Sequence, residues 1–196
     1  MTKSSSKLRF IQILPNISPK GEFILKDLPG SGKRIDVLCR CLAACFDWAP
    51  ETWSKQDLEF VAVIENDIIL VIDNPGDGVR GETWWANLIS NALRGNPTEF
   101  ITVEQKTLDA LLEEYQGIPD SKIWVLEETG TPFKETIEVR KTSQNSFMLG
   151  DHRGFDSKTM KVIERFKINS LSIGKISHLS SHTIATVIAT FECGSQ

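Results

Sequence analysis

The chain has 196 residues, enough for one domain, and its hydrophobic fraction of 40% is sufficient for an ordinary core. Its 22 basic and 26 acidic residues give a formal net charge of −4, which excludes a generally basic nucleic-acid-binding surface and restricts any RNA contact to a local patch. No apolar run approaches the roughly 20 residues that span a bilayer, so no membrane segment is expected. Residues 1–6 are expected to be a disordered lead-in without the apolar core of a signal peptide.

The N-terminal segment begins with a strand and continues into a helix. Residues 7–14 follow the pattern of a strand, and loops are predicted at 15–23 and 25–34. From Arg34 to Phe46, apolar residues recur at helical spacing and predict an amphipathic helix. The residues expected on its outward face include Arg34, Asp36 or Arg40.

The middle of the chain predicts a hairpin followed by a turn. Two apolar runs within 58–73 are separated by Asn66–Asp67, which is a hairpin signal. Residues 74–81, NPGDGVRG, predict an exposed turn because glycine and proline dominate the segment.

Two helices are expected after this turn. The first occupies 82–93 and ends near Gly95. The second is predicted at 102–115, where Thr102 would be the N-cap and Gln105 would complete a capping box.

The C-terminal half alternates strands and helices. Strands are expected at 122–128, 145–150 and 168–174, helices at 157–166 and 180–192, and a loop at 129–136. This order predicts an α/β fold with a mainly parallel sheet in the C-terminal half, in one compact domain. Gly150 and Gly174 lie in loops that follow strands, and ligands usually bind at the carboxyl ends of strands in open α/β sheets.

The cysteines favour a reducing compartment. Cys39, Cys41 and Cys45 lie close together and Cys193 lies near the C-terminus, which is not the usual distribution of a disulfide framework. Cys41 and Cys45 are four residues apart, whereas Cys39 lies on another helix face, and no second pair has zinc-finger spacing. Core cysteines are therefore favoured over a metal site.

The segment GSGKR at 30–34 resembles a nucleotide-phosphate loop but departs from the motif. Asp27 stands where the first glycine is required, and Arg34 stands where serine or threonine should follow Lys33. The alternatives are a basic loop, including Lys26, that contacts RNA phosphates, or an ordinary solvated surface loop.

The histidines do not form a recognised catalytic motif. His178 and His182 are four residues apart and could share a helix face, but HLSSH lacks the glutamate of a metalloprotease, so capping or surface roles are favoured over zinc. His152 could position a substrate or satisfy a backbone carbonyl. No Gly-x-Ser-x-Gly motif is present, and no metal is expected.

Two stretches together resemble one known family. LKDLPGSGKRIDVLCRCLAACF at 25–46, and FMLGDHRGF at 147–155 with INSLSI at 168–173, are similar to the TrmY family of SPOUT-class RNA methyltransferases. IWVLEETG at 123–130 is a weaker match. The resemblance implies a C-terminal trefoil knot, S-adenosylmethionine as cofactor, a homodimer, and N1-methylation of pseudouridine in tRNA or ribosomal RNA.

By this resemblance, the loops after three neighbouring strands wrap the cofactor. The implied cofactor-binding residues are Leu126, Gly150, Leu171, Ser172, Ile173, Gly174, Lys175, Ile176 and Thr183. Glycine in these loops would let the backbone approach the adenosine closely. Thr183 stands where the family has a cysteine at the start of the last helix if KISHLSSH contains two extra residues, and Ser181 stands there if it does not. Ile173 stands where the family has a proline.

By the same resemblance, the residues that contact RNA lie in the stretch 25–46. Arg34 and Arg40 are implied to hold an RNA phosphate or the flipped base, and Asp36 to orient them or to accept a hydrogen bond from the ring. The apolar stripe of the last helix suits either a dimer interface or ordinary core, and consists of Ile184, Val187, Ile188 and Phe191. The alternative function is a knotted RNA-binding paralogue without methyltransferase activity, acting in tRNA or ribosome maturation. Either protein is expected in the cytoplasm.

Overall fold

The computed structural model describes residues 7–49, 54–151 and 153–193. The expectations for residues 1–6 and for His152 lie outside the described residues. Seven strands of the described ranges form one sheet. They are β1 (Lys7–Leu14), β2 (Leu58–Ile64), β3 (Ile68–Asp73), β4 (Ile101–Gln105), β5 (Ser121–Pro132), β6 (Gln144–Leu149) and β7 (Asn169–Ser172).

Helices cover both faces of this sheet. They are α1 (Leu28–Ser31), α2 (Ile35–Leu42), α3 (Glu82–Leu93), α4 (Leu108–Gln116), α5 (Ile137–Lys141), α6 (Ser157–Arg165) and α7 (Ser180–Cys193). A π-helical turn, Ala43–Asp47, continues α2. The Asp47 carboxylate accepts hydrogen bonds from the Gly81 N–H (3.1 Å) and the Trp85 indole (3.0 Å), so this turn is fastened to the start of α3.

The strand order is β4-β3-β2-β1-β6-β5-β7. β1 is parallel to β2 and β6, and β5 is parallel to β6 and β7, whereas β3 is antiparallel to both of its neighbours. The predicted α/β fold with a mainly parallel C-terminal sheet is confirmed. Because β5, β6 and β7 are parallel, their carboxyl ends lie at the same edge. The trefoil knot stays a prediction.

The first strand shows why the sheet is covered on both faces. Leu8, Phe10 and Leu14 belong to the core beneath α2, α3 and α7, whereas Ile11 and Ile13 belong to the core beneath α4 and α6. Strands buried on both faces are typical of parallel sheets. Each fully buried large apolar side chain contributes roughly 1.5–3 kcal/mol, so these two cores dominate the stability.

Most predicted elements are confirmed, with small differences at their ends. The strand at 7–14, the hairpin at 58–73 and the helix at 82–93 are present, as are the predicted strands and helices after residue 121. Within the described ranges, no helix is both long and apolar enough to cross a membrane.

The helix predicted at 102–115 is wrong in its first part. Residues 101–105 form β4, which pairs with β3 instead, and α4 begins only at Leu108. The β-branched residues at 101–103 fit a strand, and pairing satisfies their backbone groups. The N-cap is Thr107 rather than Thr102, because its hydroxyl accepts a hydrogen bond from the Ala110 N–H (3.3 Å).

Two predicted loops contain regular structure. Residues 25–34 include α1, which the Asp27 carboxylate caps by accepting hydrogen bonds from two backbone N–H groups. In the segment 129–136, β5 continues because it pairs again with β7 after a register shift between Leu126 and Thr131. Such a shift depends on the neighbouring strand and leaves no clear local pattern.

The cysteines of the α2 region are core residues, as predicted. Cys39, Cys41 and Cys45 are buried, and burial raises the pKa of all three thiols. A neutral buried thiol packs as a small apolar side chain. Cys193, in contrast, is exposed.

The apolar stripe of α7 is buried in the chain's own core. Its residues are Ile184, Val187, Ile188 and Phe191, and each is at most 8% exposed. Phe191 packs edge-on against Phe133 and Phe147. The interpretation of this stripe as a dimer interface is therefore wrong, and the ordinary-core alternative is confirmed.

Candidate active site

A cavity of about 680 Å³ lies where the irregular segment of β5 between Leu126 and Thr131, and the loops that follow β6 and β7, meet α2. One face of α2, with its N-cap residue, forms one wall. The loops within β5, after β6, and between β7 and α7 form the others. The parallel C-terminal strands thus bring their loops together at the edge where the sequence predicted a ligand.

The loop after β6 is a turn closed on itself. The Gly154 N–H donates to the Asp151 carbonyl (3.1 Å), and the Arg153 N–H donates to Asp151 Oδ1 (2.7 Å). A Cβ added to Gly150 would lie 2.4 Å from the Gly154 carbonyl carbon, which is closer than atoms can approach. Glycine at position 150 is therefore required by the turn itself, in addition to any approach of a ligand.

The loop within β5 contributes carboxylates to the cavity wall. Glu127 and Glu128 line the cavity, and a hydrogen bond from Ser177 lowers the pKa of the Glu128 carboxyl. Nearby, a Cβ on Gly130 would lie 2.6 Å from the Leu171 carbonyl carbon, so β5 and β7 approach too closely there for a side chain.

The segment that leads into α7 is held at two points. The Ser172 hydroxyl accepts a hydrogen bond from the Gly174 N–H (3.2 Å) and donates to the Gly174 carbonyl (2.8 Å). The Ser180 hydroxyl donates to the Gly150 carbonyl (3.2 Å), which attaches the start of α7 to the β6 turn. Thr183 follows, largely buried, in the cavity wall.

The α2 wall carries an ion-paired group. Asp36 accepts hydrogen bonds from Arg34 Nε (3.0 Å) and Nη2 (3.1 Å), and from Arg40 Nη2. Both arginines line the cavity, whereas Asp36 lies behind them and is only 6% exposed. The prediction of an outward-facing Asp36 is wrong, because its carboxylate is buried between the two cations that compensate its desolvation.

Arg34 is held in an unusual backbone conformation. It is the N-cap of α2 with φ +74° and ψ +31°, and Lys33 before it has φ +47°. Consecutive non-glycine residues in the left-handed region are uncommon and are often found at functional sites. The hydrogen bond to Asp36 raises the pKa of Arg34, so its guanidinium stays charged.

The structure brings most of the predicted cofactor residues to one cavity. Those that line it are Leu126, Gly150, Ile173, Gly174, Ile176 and Thr183. Leu171 and Ser172 are instead buried in β7 beneath the loop, and Lys175 is exposed beside it. Sequence reasoning missed Glu127, Glu128 and Arg153 as cavity residues, although each lies inside a stretch that resembles the TrmY family.

The two C-terminal histidines do not share a helix face. His178 precedes α7 and lines the cavity, whereas His182 is exposed on α7. Surface roles are thus the better account of both. In the part of the chain that the structure describes, no group of three or more His, Cys, Asp or Glu residues could hold a metal ion.

One buried polar side chain lies beside the cavity wall. Gln12 of β1 is in register with Leu149 of β6, which lines the cavity. Gln12 is 0% exposed, and neither atom of its amide has a partner in good hydrogen-bond geometry among the described residues. Its polar neighbour is the Cys41 thiol, a weak acceptor whose pKa the amide lowers against the larger rise caused by burial. An unpaired buried amide costs free energy, about 1–3 kcal/mol.

We expect the substitution Gln12→Leu to raise the free energy of unfolding by about 1 kcal/mol, because leucine has a similar size and needs no partner. Urea denaturation measures this change. Gln12→Ala is the control and should destabilise, since it leaves a void in the core. A loss of stability in Gln12→Leu would show that the amide is hydrogen-bonded in solution, for example to a buried water.

The fold is an α/β fold with a mostly parallel sheet, and its cavity lies beside the C-terminal strands. The sequence matches, over residues 9–192, the model of a family described as "Putative SAM-dependent RNA methyltransferase". The match covers nearly the whole chain, and the protein belongs to this family. It is therefore a member of an RNA methyltransferase family whose cofactor is S-adenosylmethionine.

Curated relatives named tRNA (pseudouridine(54)-N(1))-methyltransferase are similar along most of their lengths. The Methanococcoides burtonii protein is 26% identical over 189 residues, covering 91% of this chain and 92% of its own. The Pyrococcus abyssi protein is 29% identical over 184 residues, covering 85% and 88%. These relatives confirm the predicted resemblance to the TrmY family.

The fold is also similar to that of a solved structure, Archaeoglobus fulgidus Nep1 bound to S-adenosylhomocysteine. The TM-score is 0.67 at 15% identity, and the alignment covers 96% of this chain and 98% of that one. This similarity confirms the SPOUT-type architecture.

Proposed function

We propose that this protein methylates N1 of pseudouridine in tRNA, in the T-loop, with S-adenosylmethionine as methyl donor. The observation that carries the proposal is one cavity in which three strand-end loops face the arginines of α2. Such a cavity can hold a cofactor and a nucleobase side by side. The tRNA position is suggested by the names of the relatives, which specify pseudouridine 54.

The residues of the loop walls fit S-adenosylmethionine. A volume of about 680 Å³ is in the usual range for sites of small molecules. Glu127 and Glu128 offer carboxylates to hydroxyl or ammonium groups, Thr183 offers a hydroxyl, and Gly174 offers backbone groups beside His178. When bound, the cofactor supplies an electrophilic methyl group on its sulfonium.

The α2 wall fits the nucleotide. A base must leave its stack before chemistry can reach it, and we assign Arg34 and Arg40 to hold the flipped nucleotide. Both oxygens of Asp36 already accept hydrogen bonds from these arginines, which favours the orienting role over contact with the ring. The N1–H of pseudouridine is weakly acidic and gives its proton to solvent when N1 takes the methyl group. Nearby guanidinium groups stabilise the negative charge that develops on the ring. The main task of the chain is then alignment of the two reactants.

We extend the proposal to a cytoplasmic homodimer. Ile176 is 75% exposed and Leu179 is 57% exposed beside the cavity, and these apolar side chains are available to a second copy, unlike the stripe of α7. Buried, unpaired cysteines are compatible with a reducing compartment.

Titration calorimetry with S-adenosylmethionine should show one binding site per subunit. The same preparation should transfer a methyl group to a T-arm RNA oligonucleotide that carries pseudouridine at position 54. The matched control is the same oligonucleotide with uridine, which offers no N1–H and should remain unmethylated. Sedimentation of this sample should give twice the 22.0 kDa subunit mass.

Each negative result has a distinct meaning. No cofactor binding at millimolar concentration would favour the RNA-binding paralogue. Cofactor binding without transfer to the pseudouridine oligonucleotide would reject the proposed substrate while leaving the cofactor site in place. A sedimentation mass equal to that of one subunit would reject the proposed homodimer.

A further inference from the structure

Arg153 differs from the other arginines at the cavity. It lies in the closed turn after β6, lines the cavity, and is exposed to solvent. Its backbone N–H donates to the Asp151 carboxylate (2.7 Å). Its guanidinium forms no hydrogen bond or ion pair with the residues at 7–49, 54–151 and 153–193.

The two arginines of the α2 wall already form ion pairs with a carboxylate. Arg34 and Arg40 both pair with Asp36, so these three residues together contribute one net positive charge. All five N–H donors of Arg153, in contrast, are available to a ligand. On a chain whose net charge is −4, such an uncommitted cation beside the cavity increases the local attraction for an anion.

Backbone contacts join the residues on either side of Arg153. An isolated β-bridge joins Asp151 and Gly154 on either side of it, and Gly154 has φ +82°. A side chain that projects from a closed turn loses less backbone entropy on binding than one on an open loop. Arg153 is thus placed to hold a ligand at a defined distance from the cavity.

We propose that Arg153 binds a backbone phosphate of the RNA next to the target nucleotide and so positions that nucleotide over the cavity. This inference rests on the proposed function, because it takes RNA to be the substrate. A guanidinium binds phosphate oxygens through two parallel hydrogen bonds. Phosphate contacts of this kind set the register of a strand without reading its sequence.

Anionic oxygens near Arg153 could belong either to an RNA phosphate or to the carboxylate of the cofactor. The exposure of Arg153 favours the phosphate, since the strand must pass along the outside of the cavity while only the flipped nucleotide enters it. The two sources are separated by measuring RNA affinity and cofactor affinity on the same variant.

The test compares Arg153→Ala with Arg153→Lys and with Arg165→Ala. The control, Arg165, is an exposed arginine of α6 that pairs with Asp109 and does not line the cavity. Fluorescence anisotropy measures the Kd of the labelled pseudouridine T-arm oligonucleotide over a series of salt concentrations, and calorimetry measures the Kd of S-adenosylmethionine.

Arg153→Ala should weaken RNA binding about tenfold at low salt, as expected for loss of one charge-assisted contact. The slope of log Kd against log salt should decrease by about 0.7 to 0.9, the value for one phosphate. Arg153→Lys should keep the slope but lose part of the affinity, because it retains the charge without the planar fork. The Kd of S-adenosylmethionine should stay within twofold.

Unchanged RNA affinity and slope in Arg153→Ala would overturn the inference. So would a fivefold or greater loss of cofactor affinity, which would assign Arg153 to the cofactor carboxylate. The RNA-binding measurement does not depend on methyl transfer. If the wild-type protein binds the oligonucleotide but does not methylate it, the proposed reaction is rejected. The effect of Arg153→Ala on RNA affinity then still tests the role of Arg153.

Discussion

The substitution Arg34→Ala should lower kcat for RNA methylation at least a hundredfold and change the Kd of S-adenosylmethionine less than threefold. Arg34 is held at the α2 wall by its bidentate pair with Asp36, opposite the loops that we assign to the cofactor. Loss of one preorganised donor to developing charge typically costs 10²–10³ in rate. Single-turnover methyl transfer at saturating cofactor and RNA measures the effect.

The variant Arg34→Lys separates the effect of charge from the effect of hydrogen-bond geometry. Arg34→Lys keeps the positive charge but cannot form two parallel hydrogen bonds, so its rate should lie between wild type and Arg34→Ala. Asp36 remains paired with Arg40 in both variants, which limits any loss of stability. Turnover at the wild-type rate in Arg34→Ala would remove this residue from the proposed site, and a parallel loss of cofactor affinity would place it on the cofactor side instead.

The substitution Gly150→Ala should weaken S-adenosylmethionine binding about thirtyfold and lower the Tm by about 5 °C. The added Cβ would lie 2.4 Å from the carbonyl carbon and 2.5 Å from the carbonyl oxygen of Gly154, and neither backbone atom can yield without opening the turn. Forced overpacking of this kind costs about 1–3 kcal/mol, which corresponds to the expected changes in Tm and affinity. Calorimetry and thermal unfolding give the two values.

Gly174→Ala is the matched control, because it changes another cavity glycine without a backbone clash. Its added Cβ would meet only His178 Nε2, at 3.4 Å, which is an ordinary contact. The Tm should therefore stay at the wild-type value, and any loss of cofactor affinity in this variant would report direct contact of the cofactor with residue 174. If Gly150→Ala keeps both its Tm and its cofactor affinity, the closed turn is not what shapes the site.

Side-chain periodicity predicted the secondary structure correctly where residues close in sequence determine it. The strand at 7–14, the hairpin at 58–73 and helix α2 follow from side-chain periodicity, which reports the faces that each element buries. It was insufficient at β4, where residues 101–105 also fitted a helix and pairing with β3 decided between the two. The same holds for the end of β5, which depends on its second pairing with β7.

By itself, the sequence determined the α/β class, the alternating order of the C-terminal elements and the family to which the chain belongs. These depend on short-range periodicity and on long distinctive strings such as LKDLPGS and GDHRGF. Only the tertiary structure decided which side chains reach the cavity. It turned Asp36 inward beneath two arginines, kept Leu171 in the strand, and added Glu128 and Arg153 to the wall. The physical reason is that parallel strands bring together loops that are far apart in the chain. The spacing of residues within one element carries no information about which loops come into contact.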